Sequence, residues 1–413
     1  MADERTLTKI PSLNTGDDSG FDREEPTDPG ITLPPMKPSQ KRPPVIPTPA
    51  PAMPKPPLVG RMPDMAALDA LMKDPSITEI MVNDIRNVMV EKDGKMSFSG
   101  FAFRSIDELN RLTRNILDVT GRILSPDSPY VDVILADGSR VNIIGPPLTL
   151  HGPCLTIRKF PSKRFMMEDL IGHHMVDRRV AHFLSFCVVG RLNVLISGGT
   201  GSGKTTLMNA LIGFVPKNER LVTIEDTPEL VVGHANSVQL QTKPQTPTLP
   251  PVLARDLVAN ALRMRPDRII VGEGRRGEAF DMLQAMNTGH SGSMTTVHAN
   301  SPRDALARLE TLCLMGGVDL PLIAVRKQIA SAIDVIIQLK RLRNGRRHVV
   351  QISEVTGMEA ETFTLQDIFG FEVGAKAAPG DAMNASFPAT GLVPTFVDRL
   401  REIGLDFPPN YFG

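Results

Sequence analysis

Between about residues 62 and 160, apolar and polar positions alternate in short runs separated by tight-turn signals. TEIMVN (78–83), VMVEKDGKM (88–96), VDVILADGSRVNIIG (131–145) and CLTIRKF (154–160) are rich in β-branched residues and predict strands. Asp93-Gly94 and Asp137-Gly138 read as hairpin turns, where glycine accepts a positive φ. Ile106, Leu109, Leu112, Ile116 and Leu117 recur at helical spacing. Ser105 with Glu108 forms a cap at the start of that helix and Gly121 suits its end. These elements predict a small α+β unit over 61–158.

The pattern then changes. LNVLIS (192–197), RLVTIED (220–226), RIIVGE (268–273) and SMTTVHA (293–299) are strand-length runs, mostly apolar, each followed by a helix-period segment. Those segments run from Lys204 to about Phe214, over 253–264 and over 277–287; a helix pair follows the last strand. Strands buried on both faces with crossover helices predict a parallel sheet, an α/β unit over 177–413. Its last part, 334–355, reads as a hairpin turning at Asn344-Gly345. The stretch 159–176 mixes charges with Pro161 and reads as a linker. Residues 1–60 contain TLPPMKPSQKRPPVIPTPAPAMPKPP, whose prolines and scarce bulky side chains predict a disordered leader.

Composition narrows the function. At 413 residues the chain exceeds the size of about 250–300 at which one core stops growing, so two domains are expected. Lys+Arg and Asp+Glu both number 46 and only 5% of residues are aromatic, which argues against nucleic acid as a partner through phosphate contacts and base stacking. Cys154, Cys187 and Cys313 lack the spacing of a zinc or redox pair. No run of about 18 apolar residues predicts a membrane span, and the first residues do not read as a signal peptide.

The strongest chemical signal is GGTGSGKTT, Gly198 to Thr206, lying between a buried strand and a helix start. It fits the phosphate-binding loop G-x-x-x-x-G-K-[ST]. Gly198, Gly199, Gly201 and Gly203, with Thr200 and Ser202 between them, let the backbone wrap phosphate oxygens; Lys204 reaches the β/γ-phosphates. Thr205 offers its hydroxyl to Mg²⁺, and Thr206 continues the helix start. Hydrolysis of ATP also needs a carboxylate to orient water, and Glu273 closes an apolar strand where an acid is costly without a function. The position before it, often Asp in such enzymes, is Gly272. Metal support is therefore expected from Glu225, Asp226 and Glu229 in TIEDTPEL, beyond the end of another strand. The alternative there is an acidic turn capping a helix with Pro228 at its first position. GHSGSMTTVHAN carries hydroxyls along a strand and ends near His298, suited to the γ-phosphate; His290 is a second candidate. Arg140 and Arg158 in the first unit are candidates to reach nucleotide across a cleft.

With the phosphate loop, TIEDTPE, RMRPDRIIVGE and GHSGSMTTVHANSPRDALARLE in this order, the chain resembles the secretion ATPase superfamily of type II and type IV secretion and type IV pili, including the VirB11-like enzymes. The four blocks correspond to that family's Walker A, Asp box, Walker B and His box. Within it the chain most resembles the CpaF/TadA motors of tight-adherence (Flp, type IVc) pili, through DGSRVNIIGPPL, LQAMNTGH, SEVTGMEAETFTLQDIF and ATGLVPTFVDRLREIGLDFPP. The resemblance implies a RecA-like P-loop ATPase domain behind a smaller PAS-like α+β domain, ATP and Mg²⁺, and a homohexamer. It further implies a cytoplasmic motor, peripheral at the inner membrane, acting on pilus platform proteins of the TadB/TadC type. By the same resemblance Glu273 is the catalytic glutamate, Glu225, Asp226 and Glu229 act through metal and water, His298 contacts the phosphates, and Arg140 and Arg158 contact nucleotide. Departures are Gly274 and Arg276 after the Walker B strand, the proline-rich leader in place of a helical region, and the lack of a four-cysteine zinc module, which argues against the type II branch. The alternative reading is a VirB11-like ATPase of a conjugation or secretion channel; a RecA-like nucleic-acid-binding ATPase stands further off.

Overall fold

The computed structural model describes residues 61–92, 94–160, 165–243, 250–342, 344–373 and 385–413. The expected leader, Asp93 of the first hairpin turn and residues 161–164 of the expected linker lie outside them.

After a 3₁₀ turn at Ala66–Leu68, the first unit comprises α1 (Asp69–Lys73), β1 (Ile77–Val82), β2 (Val88–Lys92), β3 (Lys95–Phe98), α2 (Ile106–Thr120), β4 (Tyr130–Ile134), β5 (Arg140–Ile144) and β6 (Cys154–Arg158). The strands form one antiparallel sheet in the order β3-β2-β1-β6-β5-β4. Leu109, Leu112, Ile116 and Leu117 of α2 are buried with Ile80, Val82, Val141, Ile143 and Ile157 in one core. Ile106, expected on that face, is exposed instead. The cap is real in altered form: Ser105 Oγ accepts from Glu108 N at 3.3 Å, while the Glu108 carboxylate accepts from Arg104 N at 2.7 Å rather than from Ser105. Gly121 ends the helix at φ 63°, in the left-handed region.

The expected linker contains α3 (Met167–Gly172), whose Met167 and Leu170 enter the core of the second unit. Then come α4 (Arg178–Val189), β7 (Val194–Gly198), α5 (Lys204–Ile212), β8 (Leu221–Glu225), β9 (Ser237–Gln241), α6 (Ala254–Ala261), β10 (Arg268–Val271), α7 (Glu278–Asn287) and β11 (Met294–Val297). The unit finishes with α8 (Pro302–Met315), α9 (Leu322–Ala332), β12 (Val335–Arg341), β13 (Arg347–Glu359), β14 (Thr362–Gly370), the short pair β15 (Glu372–Val373) and β16 (Ala385–Ser386), and α10 (Val397–Glu402). The eight-stranded sheet runs β14-β13-β12-β7-β11-β10-β8-β9; it is parallel from β12 to β9, with β13 and β14 antiparallel at one edge.

Covering both faces explains the unbroken apolar runs. Val194 and Ile196 of β7 enter the core under α4 and α5, while Leu195 between them enters the core under α6–α9. Ile270 of β10 likewise parts from Ile269 and Val271. No helix follows Pro228; residues 226–235 are irregular, so the helix-cap alternative for the acidic block does not hold. Among the described residues no helix is long and apolar enough to cross a membrane. Mixed α/β architecture with a RecA-like doubly covered sheet is therefore the fold.

One ionic pin fixes the base of β10. Arg268 is fully buried, donates to Val188 O at 2.6 Å, and pairs with both Glu219 oxygens. Removing one partner of a buried pair strands the other charge. Glu219→Ala is expected to lower unfolding stability by about 3–5 kcal/mol, read by urea titration; a loss below about 1 kcal/mol would show that Arg268 finds other compensation.

Candidate active site

Chain order and strand order differ in the parallel sheet, and this creates the site. β11 lies between β7 and β10, so the residues leaving these three strands are neighbours at one edge. The loop Gly198–Thr206 leaves β7 and enters α5. Gly201 and Gly203 adopt φ of 68° and 96°, which L side chains rarely adopt. A Cβ on Gly198 would sit 2.5 Å from Ser202 Oγ and 2.8 Å from Leu339 O. Gly199, Thr200 and Gly201 form an exposed crest, Ser202 is buried with an unpartnered Oγ, and Thr205 and Thr206 are half-buried on the first turn of α5.

Lys204 is only 8% exposed; its Nζ donates to Gly198 O at 2.9 Å and Gly199 O at 3.1 Å. It also lies 3.3 Å from His298 Nδ1. His298 Nε2 lies 2.5 Å from Glu273 Oε1. An ammonium cannot accept, so this network assigns the acceptor role to Nδ1 and the proton to Nε2, a neutral imidazole donating to Glu273. Burial, and then the Lys204 charge, holds the His298 pKa below its ordinary value; burial likewise lowers Lys204. The line continues: Arg275 Nε donates to Glu273 Oε2 at 2.7 Å with Nη2 2.6 Å from the same oxygen, and Arg275 Nη1 is 3.4 Å from Asp226 Oδ2.

The acidic block divides by environment. Glu225 is buried, and its Oε1 accepts from Glu229 N at 2.9 Å and Leu230 N at 3.0 Å. Burial pushes its carboxyl up to about 7 against those two hydrogen bonds. The absence of the usual acid before Glu273 now has a steric reason, since a Cβ on Gly272 would meet Glu225 Cγ at 2.9 Å. Asp226 is exposed and accepts from Thr242 Oγ1 at 3.0 Å. Among the described residues no three His, Cys, Asp or Glu side chains are grouped to hold a metal. Glu229 faces the first unit, its Oε1 3.6 Å from Arg140 Nη1 and 3.5 Å from Arg158 Nη1. His290 Nδ1 lies 3.3 Å from Ala285 O, and among the described residues no hydrogen bond or ion pair joins its side chain to this line.

Several residues at this edge escaped the sequence reading. Arg275, between the departures at Gly274 and Arg276, is one of them, and it grips Glu273. Glu278 holds its loop, with Oε1 accepting from Arg275 N at 2.6 Å and Arg276 N at 2.9 Å. Arg347 Nε donates to Gly201 O at 2.9 Å, and Arg341 Nη2 pairs with Glu91 of the first unit at 3.1 Å. The run KRLRNGRR (340–347) was the available signal, read only as a hairpin.

Glu225 provides a test independent of activity. A carboxyl whose folded pKa is raised favours the folded state below its unfolded value of 4.5, and that advantage disappears as pH rises toward about 7. Glu225→Gln retains an amide oxygen for both backbone donors and cannot ionise. It is expected to be more stable than the parent at pH 8, by up to roughly 3 kcal/mol, with the difference vanishing toward pH 4.5. Equal melting temperatures at pH 8 would show that Glu225 ionises without cost.

Comparison with known proteins places the chain in a family. The Type II/IV secretion system protein family matches residues 62–367. The chain is 34% identical to the type IV secretion system protein VirB11 of Bartonella quintana over 343 aligned positions, covering 73% of this chain and 93% of that protein. It is 35% identical to the type IV secretion system protein PtlH of Bordetella pertussis over 324 positions, covering 72% and 95%. Among solved structures, the ATPase DotB of Legionella pneumophila matches with a TM-score of 0.50 at 22% identity, covering 72% of this chain and 81% of that one, a likeness of fold. The chain belongs to the type II/IV secretion ATPase family.

Proposed function

We propose that the protein hydrolyses ATP and works as a hexameric motor at the cytoplasmic side of the inner membrane. The observation that carries the enzymatic reading is the continuous line Lys204–His298–Glu273, which joins the phosphate loop to a strand-end carboxylate. The loop suits a triphosphate, because Gly201 and Gly203 turn its backbone through left-handed conformations and Lys204 is a buried cation at its base. Lys204 turns from the loop carbonyls to the β/γ-phosphates, and Glu273 orients the attacking water and accepts its proton. His298 reports the γ-phosphate to Glu273, since one ring nitrogen faces each side. Mg²⁺ needs few protein ligands beside phosphate oxygens; Thr205 with Asp226 and Glu225 is the hard-oxygen set that would hold it, and it supplies charge neutralisation at the phosphates.

For the work done, the C-terminal blocks 353–369 and 389–409 support a Tad/Flp-type pilus motor that drives pilin addition through an inner-membrane platform of the TadB/TadC type. The second reading, a motor of a type IV secretion or conjugation channel, is supported by relatives bearing that description. Affinity purification from native membranes chooses between them: a polytopic pilus platform selects the first, and transfer-channel components select the second.

Glu273→Gln is expected to keep ATP affinity and cut turnover by at least about 10²-fold; near-normal turnover would remove Glu273 from its role. Lys204→Ala is expected to weaken ATP binding itself, because it deletes the cation on the phosphates. Since His298 acts neutral and its pKa is lowered, kcat/KM is expected to hold to below the ordinary histidine value and then fall as protonation ends acceptance from Lys204. An acid limb unchanged in His298→Gln would assign that titration elsewhere.

A further inference from the structure

Arg140 of β5 stands directly opposite Arg158 of β6, and Arg158 stands opposite Glu79 of β1. Residues paired across neighbouring strands project from the same face, and like charges so placed repel. Glu79 offsets part of this for Arg158, 3.9 Å from its Nε, and pairs with no nitrogen of Arg140 among the described residues. The anion shared by both arginines comes from the other unit: one oxygen of Glu229 serves both guanidinium groups, at 3.6 and 3.5 Å. These distances exceed those of good charge-assisted hydrogen bonds, about 2.7–2.9 Å, so the contact is electrostatic rather than a locked fork. The Glu229 backbone, by contrast, is fastened on both sides: its N–H to Glu225 Oε1 at 2.9 Å and its carbonyl to Asn209 Nδ2 at 3.2 Å. Its side chain can therefore swing while the main chain stays.

We infer that Glu229 is a built-in competitor, its carboxylate occupying the Arg140–Arg158 pair until a phosphoryl group of the nucleotide displaces it. The inference rests on the ATPase reading above and adds its regulation. Exchange of carboxylate for phosphoryl ties the first unit to the nucleotide and releases Glu229 toward the water and metal side of the site. Glu229 is thus both a member of the acidic block and a built-in competitor that sets the threshold for binding.

Equilibrium binding of a fluorescent, non-hydrolysable ATP analogue to the full chain tests this, with thermal melting to confirm that each variant folds. Glu229→Gln is expected to bind the analogue about 5- to 10-fold more tightly, though its turnover falls. Arg140→Gln/Arg158→Gln is expected to bind more weakly, and adding Glu229→Gln to that pair to bring no tightening. Glu229→Asp, one methylene short of the pair, should tighten by a smaller factor and serves if the glutamine variant does not fold. Higher salt should narrow the gap, since all three groups are partly exposed. Unchanged affinity in Glu229→Gln, or equal tightening without the arginines, would overturn the inference. Non-additive tightening in a chain that binds but does not hydrolyse would uphold it and overturn the ATPase reading; a chain that binds no analogue would end both.

Discussion

The central strands of a parallel sheet covered on both faces meet water only at their ends, and that constraint organises the molecule. Every interior position of β7, β8, β10 and β11 is buried, so charged chemistry can leave only at the ends. Neighbouring strands lie about 4.8 Å apart, so residues leaving three consecutive strands fall within reach of long side chains. His298, just past the end of the intervening β11, bridges Lys204 and Glu273 with one nitrogen for each.

The same burial sets protonation states. Near the covered sheet the charged forms of Lys204 and His298 are disfavoured, and the imidazole stays neutral, which lets it accept on one side and donate on the other. Glu225 sits deeper and feels the cost as a carboxyl held near neutrality, while Asp226, one residue on, lies exposed beside Arg275. Two adjacent acids of one motif thus have different electrostatic characters because the strand ends between them.

Much of this was legible in the sequence. The phosphate loop, the strand-closing Glu273 and the strand ending near His298 each follow from apolar runs that stop at polar residues. β9 was not, because SVQLQ is a half-exposed edge strand with two glutamines and lacks the apolar continuity of its neighbours. β14 escaped for a related reason: at the antiparallel edge most of TFTLQDIFG is only partly buried. Arg275 was invisible as a partner of Glu273 because two residues of spacing say nothing of direction until Glu278 folds the loop back. Gly272 shows the reverse case, a departure plain in sequence whose cause, the Glu225 side chain beneath it, exists only in three dimensions.

The two units are joined to the phosphate loop by two different routes. On one side, Arg341 holds Glu91 of the first sheet, and Arg347 on the partner strand of the same hairpin holds the crest carbonyl of Gly201. On the other, Glu229 spans to Arg140 and Arg158. The first route ends on a backbone carbonyl and can be tight; the second balances two arginines on one oxygen and is the weaker. A shift of the first sheet that keeps the hairpin contact is therefore taken up at Glu229, so the looser of these two ionic contacts lies where nucleotide charge is proposed to act.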